Sequence, residues 1–242
     1  MPKVVICTPS ISGPTAPYIK ALEASAPLLS TAGWETGYSQ EIGNPYISAA
    51  RAMMTRKALD ANADVVVYLD YDLSWDPRDL LTLIETQGNV VAGTYRFKKD
   101  VEQYMGALET NDDGTPIVRK DGCLKSAYVP AGFLKVTREA LVIFAKSYPD
   151  LLYGDPFRYE IDLFNHGARG GIWWGEDYSF SDRWTKCGGE IWTPPNINLN
   201  HHSFSKPLIG PGIAKEIVYK GNLHEFLLRQ PGGSKEHLWT RY

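Results

Sequence analysis

Residues 65–72 read VVVYLDYD, an apolar run that ends in a pair of aspartates. A continuous apolar run of this length predicts a central strand that is covered on both faces. Asp76 and Pro77 follow as a helix cap and a first-turn proline, and the apolar residues within 80–84 supply a buried helix face. Asp70 and Asp72 are therefore predicted to lie on a loop between a strand and a helix.

The alternation of strand and helix continues on both sides of this stretch. The apolar patterns predict strands at 4–7, 34–38, 90–95 and 128–136, and helices at 17–29, 137–148 and 177–187. Another helix is predicted to begin with Asn44 as its N-cap and Pro45 in its first turn. Arg51 falls off the apolar stripe of that helix, so it points either to solvent or toward the strand ends. We predict an α/β fold with a mostly parallel central sheet flanked by helices.

Two segments lack this alternation. Turn signals at 111–114 and 120–122 predict a small hairpin beside the main sheet. Between residues 151 and 175, glycines are interleaved with aromatic residues and regular periodicity is lost. Long loops in compact domains are more often functional than idle, so we expect this loop to serve the site.

Composition excludes several classes of protein. The chain has 242 residues, 43% of them hydrophobic, and a net charge of −3, which argues against a nucleic-acid binder that depends on a basic surplus. Its three cysteines form no metal or disulfide pattern. The apolar run after Met1 is too short for a signal peptide, and no apolar stretch reaches membrane length, so we expect a cytoplasmic protein. Arg96, Lys98 and Lys99 form a small basic cluster of the kind that usually faces solvent.

The two aspartates after the central strand suggest a metal site. Carboxylates at the carboxyl end of a strand lie where open α/β sheets bind ligands. Asp70 and Asp72 are hard oxygen ligands that could hold Mg²⁺ or Mn²⁺ against the phosphates of a nucleotide. The alternative is that both aspartates cap the following loop and face water.

The order of motifs resembles that of GT-A glycosyltransferases, especially the compact ones found among phage and bacterial proteins. The residues that carry the resemblance, which spans about residues 4–205, are Ala50-Arg51, 68–72 with Asp76-Pro77, 93–96, 131–133, and Gly175-Glu176-Asp177 with Arg183. No linker or charge run divides the chain, which favours one domain over 1–242, and the resemblance implies that this domain has the GT-A type nucleotide-diphospho-sugar transferase fold. It divides the chain into a nucleotide-sugar-binding half (1–100), an acceptor-side half (101–210) and a C-terminal helical tail (211–242). It further implies a Leloir-type transferase that uses Mn²⁺ or Mg²⁺ to move a sugar from a nucleotide-diphosphate donor to an acceptor hydroxyl.

The resemblance also assigns roles to single residues. Asp177 becomes the candidate catalytic base, with Glu176 beside it, since an attacking hydroxyl must lose its proton. The alternative makes Asp177 the N-cap of its helix. A late histidine completes the metal site in such enzymes; His201 or His202 could serve, and His201 is preferred because it shares a strand face with Ile197 and Leu199.

Further candidates line the two substrates. The donor candidates are Thr8, Pro9, Ser10, Arg51, Asp70 and Tyr71. The acceptor candidates are Trp173, Trp174 and Gly132, although the tryptophans could equally belong to the core. The acceptor itself stays open between a phage-modified DNA base, a glycan, a lipid and a protein.

Two other functions compete with this hypothesis. A sugar-nucleotide nucleotidyltransferase shares a similar sheet, but residues 8–13 lack the glycine-rich, arginine-containing loop that it needs. A dehydrogenase is disfavoured because no Gly-x-Gly-x-x-Gly follows the first strand. The other alternative is a non-catalytic carbohydrate- or nucleotide-binding protein of the same fold.

Overall fold

The computed structural model describes residues 1–205 and 215–229. Residues 206–214 and 230–242, which include most of the predicted C-terminal tail, lie outside the described residues. The strands are β1 Lys3–Ser10, β2 Glu35–Ile42, β3 Val65–Leu69, β4 Leu73–Trp75, β5 Val90–Ala92, β6 Ala107–Leu108, β7 Leu124–Tyr128, β8 Phe133–Thr137, β9 Leu152–Asp155, β10 Arg158–Ile161, β11 Gly167–Arg169, β12 Ile172–Trp174, β13 Ile191–Thr193, β14 Leu199–Ser205 and β15 Lys215–Lys220. The α-helices are α1 Ala16–Thr31, α2 Ile47–Asp60, α3 Pro77–Glu85, α4 Arg138–Ser147, α5 Glu176–Lys186 and α6 Leu223–Arg229, and a short 3₁₀ helix covers Pro149–Leu151.

Eight strands form the central sheet in the order β2-β1-β3-β8-β5-β13-β7-β6. Strand β1 pairs in parallel with β2 and β3, and β5 pairs in parallel with β13. Strand β8 runs antiparallel between β3 and β5, and β7 runs antiparallel to β13 and β6. Because β7 and β8 oppose the other six strands, the sheet is mostly parallel, and that prediction is confirmed.

Helices cover both faces of this sheet. Successive side chains of a strand point to opposite faces, so the apolar residues of β1 and β3 divide between two clusters. One cluster contains residues of α2, α4 and α5, such as Met54, Phe144 and Phe180. The other contains residues of α1 and α3, such as Tyr18 and Leu80. The continuous apolar run of β3 is therefore buried from both sides, as its sequence predicts.

Helix α3 begins where its sequence predicts, and helix α2 does not. The Asp76 side chain accepts a hydrogen bond from the Arg78 N–H at 3.0 Å, with Pro77 in the first turn. Asn44, predicted to cap α2, instead accepts from the Tyr46 N–H at 3.0 Å in a turn, and the helix begins only at Ile47. A side chain that binds the backbone two residues ahead competes with helix formation, so this predicted cap was wrong.

Three other predictions are corrected. The strand predicted at 90–95 ends at Ala92. The strand predicted at 128–136 is divided by a turn, since β7 ends at Tyr128 and β8 begins at Phe133. The segment 151–175 contains two short antiparallel hairpins, β9–β10 and β11–β12. Strands of three or four residues are too short to reveal a period of two.

The turns predicted at 111–114 and 120–122 are present, and antiparallel pairing surrounds both of them. Antiparallel bridges join Thr110 to Pro116 and Val118 to Leu124. Gly114 and Gly122 adopt positive φ at the two turns, a conformation that favours glycine.

A small second sheet, in the order β15-β14-β4, lies next to the end of β3. Strand β14 pairs antiparallel with β4, which places His201 opposite Leu73. The His202 N–H donates to the Asp72 carbonyl at 2.8 Å. This sheet brings the late histidine pair to the two aspartates. Among the described residues, no helix combines the length and the apolar character that crossing a lipid bilayer requires.

Candidate active site

Asp70 directly follows β3, and both of its carboxylate oxygens accept hydrogen bonds. Oδ1 accepts from Arg51 Nη2 at 2.9 Å, and Oδ2 accepts from the Tyr95 hydroxyl at 3.1 Å. The Asp70 N–H donates to the Gly132 carbonyl at 2.8 Å, which holds the end of β3 against the turn before β8. Burial raises the pKa of Asp70 above its ordinary value, although the Arg51 charge opposes that shift.

Arg51 joins two acidic residues from beneath the site. Its side chain is only 1% exposed, and it donates to Asp70 and, through Nη1 at 3.1 Å, to Glu176 Oε1. The guanidinium lies over the Phe164 ring, with its central carbon 5.0 Å from the ring centroid. Arg51 thus points toward the strand ends and away from solvent, and the geometry gives it a positioning role. Its predicted contact with a donor stays a prediction.

Asp72 carries the second half of the site. Its Oδ2 atom contacts the Lys98 ammonium and lies 3.6 Å from His201 Nε2. Burial raises the pKa of Asp72, but the interactions with His201 and Lys98 outweigh burial and hold that pKa below its ordinary value. Asp72 is therefore a carboxylate that keeps its negative charge.

The two adjacent histidines point in opposite directions. His201 Nδ1 donates to the Arg96 carbonyl at 2.8 Å. His202 lies between Ser74 Oγ at 2.8 Å and Glu216 Oε1 at 2.7 Å. Because side chains alternate along a strand, β14 can direct only one of the pair at Asp72, and that residue is His201.

The donor set of Asp72 and His201 fits a divalent cation. A carbonyl can only accept, so the Arg96 contact places a proton on Nδ1 and leaves Nε2, the atom that faces Asp72 Oδ2, as the ring nitrogen that could coordinate a cation. Metal-binding histidines commonly donate their other N–H to a backbone carbonyl in this way. Among the described residues, no group of three or more His, Cys, Asp or Glu side chains is arranged to hold a metal. Mg²⁺ sites often have one or two carboxylates plus substrate phosphates, so a small protein donor set is sufficient. Asp70, Asp72 and His201 as metal ligands all stay predictions.

Glu176 and Asp177 begin α5, and Gly175 is the residue that caps it. Asp177 is therefore inside the first turn, and the alternative that made it the N-cap is wrong. Burial, and then the neighbouring charge of Glu176, raise the pKa of Asp177 to about 7. A carboxylate with a pKa near neutrality can take up a proton at physiological pH.

Asp70, Asp72, Glu176 and Asp177 form an acidic cluster, and two cavities meet there. The larger one, of about 470 Å³, is lined by Tyr128, Trp173, Trp174 and Tyr178 together with Glu176 and Asp177. The smaller one, of about 330 Å³, is lined by Pro9, Ser10, Asp70, Tyr71, Asp72, Tyr95 and His201. Met105 borders both. Two separate ligands could therefore meet beside the carboxylates.

The predicted substrate residues differ in exposure and in whether they line a cavity. Trp173 is 66% exposed, so it does not belong to the core. Thr8 is buried and its hydroxyl contacts that of Tyr18, whereas the next two residues line the smaller cavity. Every predicted substrate contact stays a prediction.

Sequence reasoning missed two residues of the site, Tyr95 and Lys98. The sequence predicts only a strand around Tyr95 and a solvated basic cluster around Lys98. The basic cluster was the available signal for Lys98, but nothing local connects it to Asp72, which is 26 residues away in the chain.

Gly132 supports the site by having no side chain. A Cβ at this position would overlap with the Tyr95 hydroxyl and with Asp70 Oδ2. We expect Gly132→Ala to displace Asp70 and to lower the free energy of unfolding by about 1–3 kcal/mol, the usual cost of overpacking. Urea denaturation measures that loss, and adding Tyr95→Phe, which removes one of the two clashing groups, should recover part of it. A single variant as stable as the wild type would contradict this packing role.

Comparisons with known proteins give loose structural likenesses. No protein-family model and no curated protein matches the chain. A mutant of Drosophila β-1,4-galactosyltransferase 7, solved with manganese, UDP-Gal and xylobiose, is similar over 81% of this chain and 66% of its own, at 14% identity and a TM-score of 0.47. A glycosyltransferase involved in glycosylation of the major capsid of PBCV-1 is similar over 59% of this chain and 63% of its own, at 14% identity and a TM-score of 0.34. The inositol-1-phosphate CTP transferase of T. maritima is similar over 80% of this chain and 88% of its own, at 10% identity and a TM-score of 0.36.

The chain spans less than two thirds of the length of the first two of these structures. At such identities and TM-scores the likenesses carry no argument about chemistry.

Proposed function

We propose that the protein is a metal-dependent glycosyltransferase of the GT-A type, which moves a sugar from a nucleotide-diphosphate donor to an acceptor hydroxyl. The observation that carries this proposal is the meeting of two cavities at one acidic cluster. The smaller cavity contains the Asp72–His201 pair, and the larger contains Asp177, whose pKa is raised to about 7. Group transfer between two bound substrates requires such an arrangement.

The smaller cavity accepts the donor in this proposal. Pro9 and Ser10, at the end of β1, line this cavity with Asp72 and His201. Pro9 and Ser10 would contact the nucleoside, and Asp72 and His201 would hold Mn²⁺ or Mg²⁺. When bound, the metal supplies positive charge that neutralises the departing nucleoside diphosphate. Arg51 fixes the Asp70 and Glu176 carboxylates, so that the floor of the site keeps its shape without the donor.

The larger cavity accepts the acceptor. Trp173 and Trp174 offer flat apolar surfaces on which a sugar ring or a nucleobase can stack. Asp177, as the base, takes the proton from the attacking hydroxyl, and attack opposite the leaving group inverts the anomeric carbon. A base with a pKa near 7 is about half ionised at neutral pH and basic enough to accept that proton.

Isothermal titration tests the donor site. The wild type is titrated with UDP, GDP, ADP, CDP and their sugars, with and without Mn²⁺, beside Asp72→Asn and the control Asp112→Asn, which makes the same change at an exposed turn. We expect binding that depends on Mn²⁺ in the wild type and the control. In Asp72→Asn the affinity should fall at least tenfold, since even the loss of an outer-shell partner costs a metal site about 10–100-fold.

Two outcomes would contradict the proposal. If the folded wild type binds no member of the panel, the non-catalytic alternative is favoured. If it binds a nucleoside triphosphate and joins it to a sugar phosphate with release of pyrophosphate, the protein is a nucleotidyltransferase.

A further inference from the structure

Lys98 places a positive charge where the metal would bind. Its ammonium contacts Asp72 Oδ2, the same oxygen that faces His201 Nε2. The Asp72 side chain is 12% exposed and that of Lys98 is 34% exposed, so the ammonium reaches a largely buried carboxylate from a more open position. Lys98 thus acts as the counter-ion of Asp72 in this structure.

The segment that carries Lys98, residues 96–104, is held at both ends. Arg96 and Tyr104 form an antiparallel bridge, and the Phe97 N–H donates to the Gln103 carbonyl at 2.9 Å. The Arg96 guanidinium also donates to the carbonyls of Lys99 and Asp100, at 3.3 Å each. The backbone is therefore well connected, and the Lys98 ammonium can change position by rotation about its long side chain alone.

The same segment contacts each part of the site. The Arg96 carbonyl accepts from His201, Phe97 lines the larger cavity, and Lys98 contacts Asp72, which lines the smaller cavity. The Arg96 guanidinium donates to the backbone carbonyls of Lys99 and Asp100, whereas the Lys98 ammonium lies on a carboxylate of the site and can exchange it for a bound diphosphate.

A divalent cation and the Lys98 ammonium cannot share Asp72 Oδ2 without strong repulsion, because two positive charges would lie within a few ångströms in a partly buried site. The ammonium therefore has to leave that oxygen when the cation arrives. A diphosphate in the adjacent cavity offers it another anion, and lysine binds phosphate readily as a point charge.

We propose that Lys98 exchanges partners during donor binding: it neutralises Asp72 in the metal-free protein, and it moves to the diphosphate of the donor once the divalent cation has bound. The inference rests on the proposed function of the site. It makes Lys98 an internal competitor of the metal and, in the loaded protein, a ligand of the leaving group.

Two titrations of one variant test the exchange. Lys98→Met keeps the apolar stem and removes the charge. Without its competitor, Mn²⁺ alone should bind roughly five- to tenfold more tightly than to the wild type, a coupling within the common range. At saturating Mn²⁺, the nucleoside diphosphate that binds best among UDP, GDP, ADP and CDP should bind on the order of tenfold more weakly, as a lost charge-assisted hydrogen bond predicts.

Two further variants serve as controls. Lys99→Met removes the neighbouring charge, which lies over the Phe97 ring at 5.0 Å, and should leave both affinities unchanged. Lys98→Arg keeps the charge and should retain most of both wild-type affinities. Thermal denaturation confirms that each variant is folded.

The exchange is supported if Lys98→Met binds Mn²⁺ more tightly and the nucleoside diphosphate more weakly, while Lys99→Met leaves both affinities unchanged. If Lys98→Met behaves as Lys99→Met does while the wild type binds both ligands, this proposal alone is overturned. A lower Mn²⁺ affinity in Lys98→Met also overturns it, because Lys98 would then assist the metal. If the wild type binds neither ligand, the proposed function fails together with it.

Discussion

Replacing Asp177 with asparagine is expected to reduce the rate constant of sugar transfer by about 10²–10⁴-fold, the usual contribution of a positioned general base. Asparagine has nearly the same shape but cannot accept the proton of the acceptor hydroxyl. Binding of the nucleoside diphosphate, which uses the other cavity, should not change. Steady-state kinetics and isothermal titration measure the two effects, with Asp150→Asn, at an exposed position, as the control.

The pH dependence supplies a second readout of the same residue. Because the pKa of Asp177 is raised to about 7, the transfer rate should rise with pH up to about 7 and then level off. Asp177→Asn should lose that dependence.

The free energy of unfolding should show the opposite trend, since the unfolded chain releases this proton near its ordinary pKa of 3.8 and the folded protein only near 7. The Asp177 contribution to stability therefore decreases as the pH rises between those values. A rate that falls across this range, or an unchanged profile in Asp177→Asn, would contradict the assignment of Asp177 as the base.

Replacing Arg51 with methionine is expected to lower the free energy of unfolding by about 3–5 kcal/mol, the cost of breaking a buried ion pair by removing one partner. The variant leaves Asp70 and Glu176 facing each other without their shared cation. Urea denaturation should find a smaller loss at pH 5 than at pH 8, because carboxylates that lack their cation become protonated more readily.

Two comparisons isolate the charge effect at Arg51. Arg56→Met, on the same helix, removes an exposed pair with Asp60 and should cost about 1 kcal/mol or less. Adding Asp70→Asn and Glu176→Gln to Arg51→Met should restore part of the stability, since no unpaired charge then remains. If Arg51→Met costs no more than Arg56→Met, the acidic residues do not depend on Arg51.

Local patterns were sufficient where neighbours in the chain decide the structure. The apolar run of β3 became a buried central strand, and Asp76 with Pro77 began α3 as predicted. Local patterns gave a wrong prediction where two local interactions compete. Asn44 could cap a helix or close a turn, and in the structure it closes the turn. The sequence does not predict the hairpins between Leu152 and Trp174, because their strands are too short to show the two-residue alternation of a strand.

By itself, the sequence determined the alternation of strands and helices, the placement of Asp70 and Asp72 at a strand end, and the acidic pair at the start of α5, because each depends on residues within a few positions. The tertiary structure alone decided which partners these carboxylates have. Arg51 meets Asp70 and Glu176 across 19 and 125 positions of chain, and Lys98 meets Asp72 across 26. The pairing of β14 with β4 decided in the same way that His201, and not His202, faces Asp72. Such contacts depend on the order of strands in the sheet and on burial, which lowers the local dielectric and makes a distant opposite charge the favourable partner.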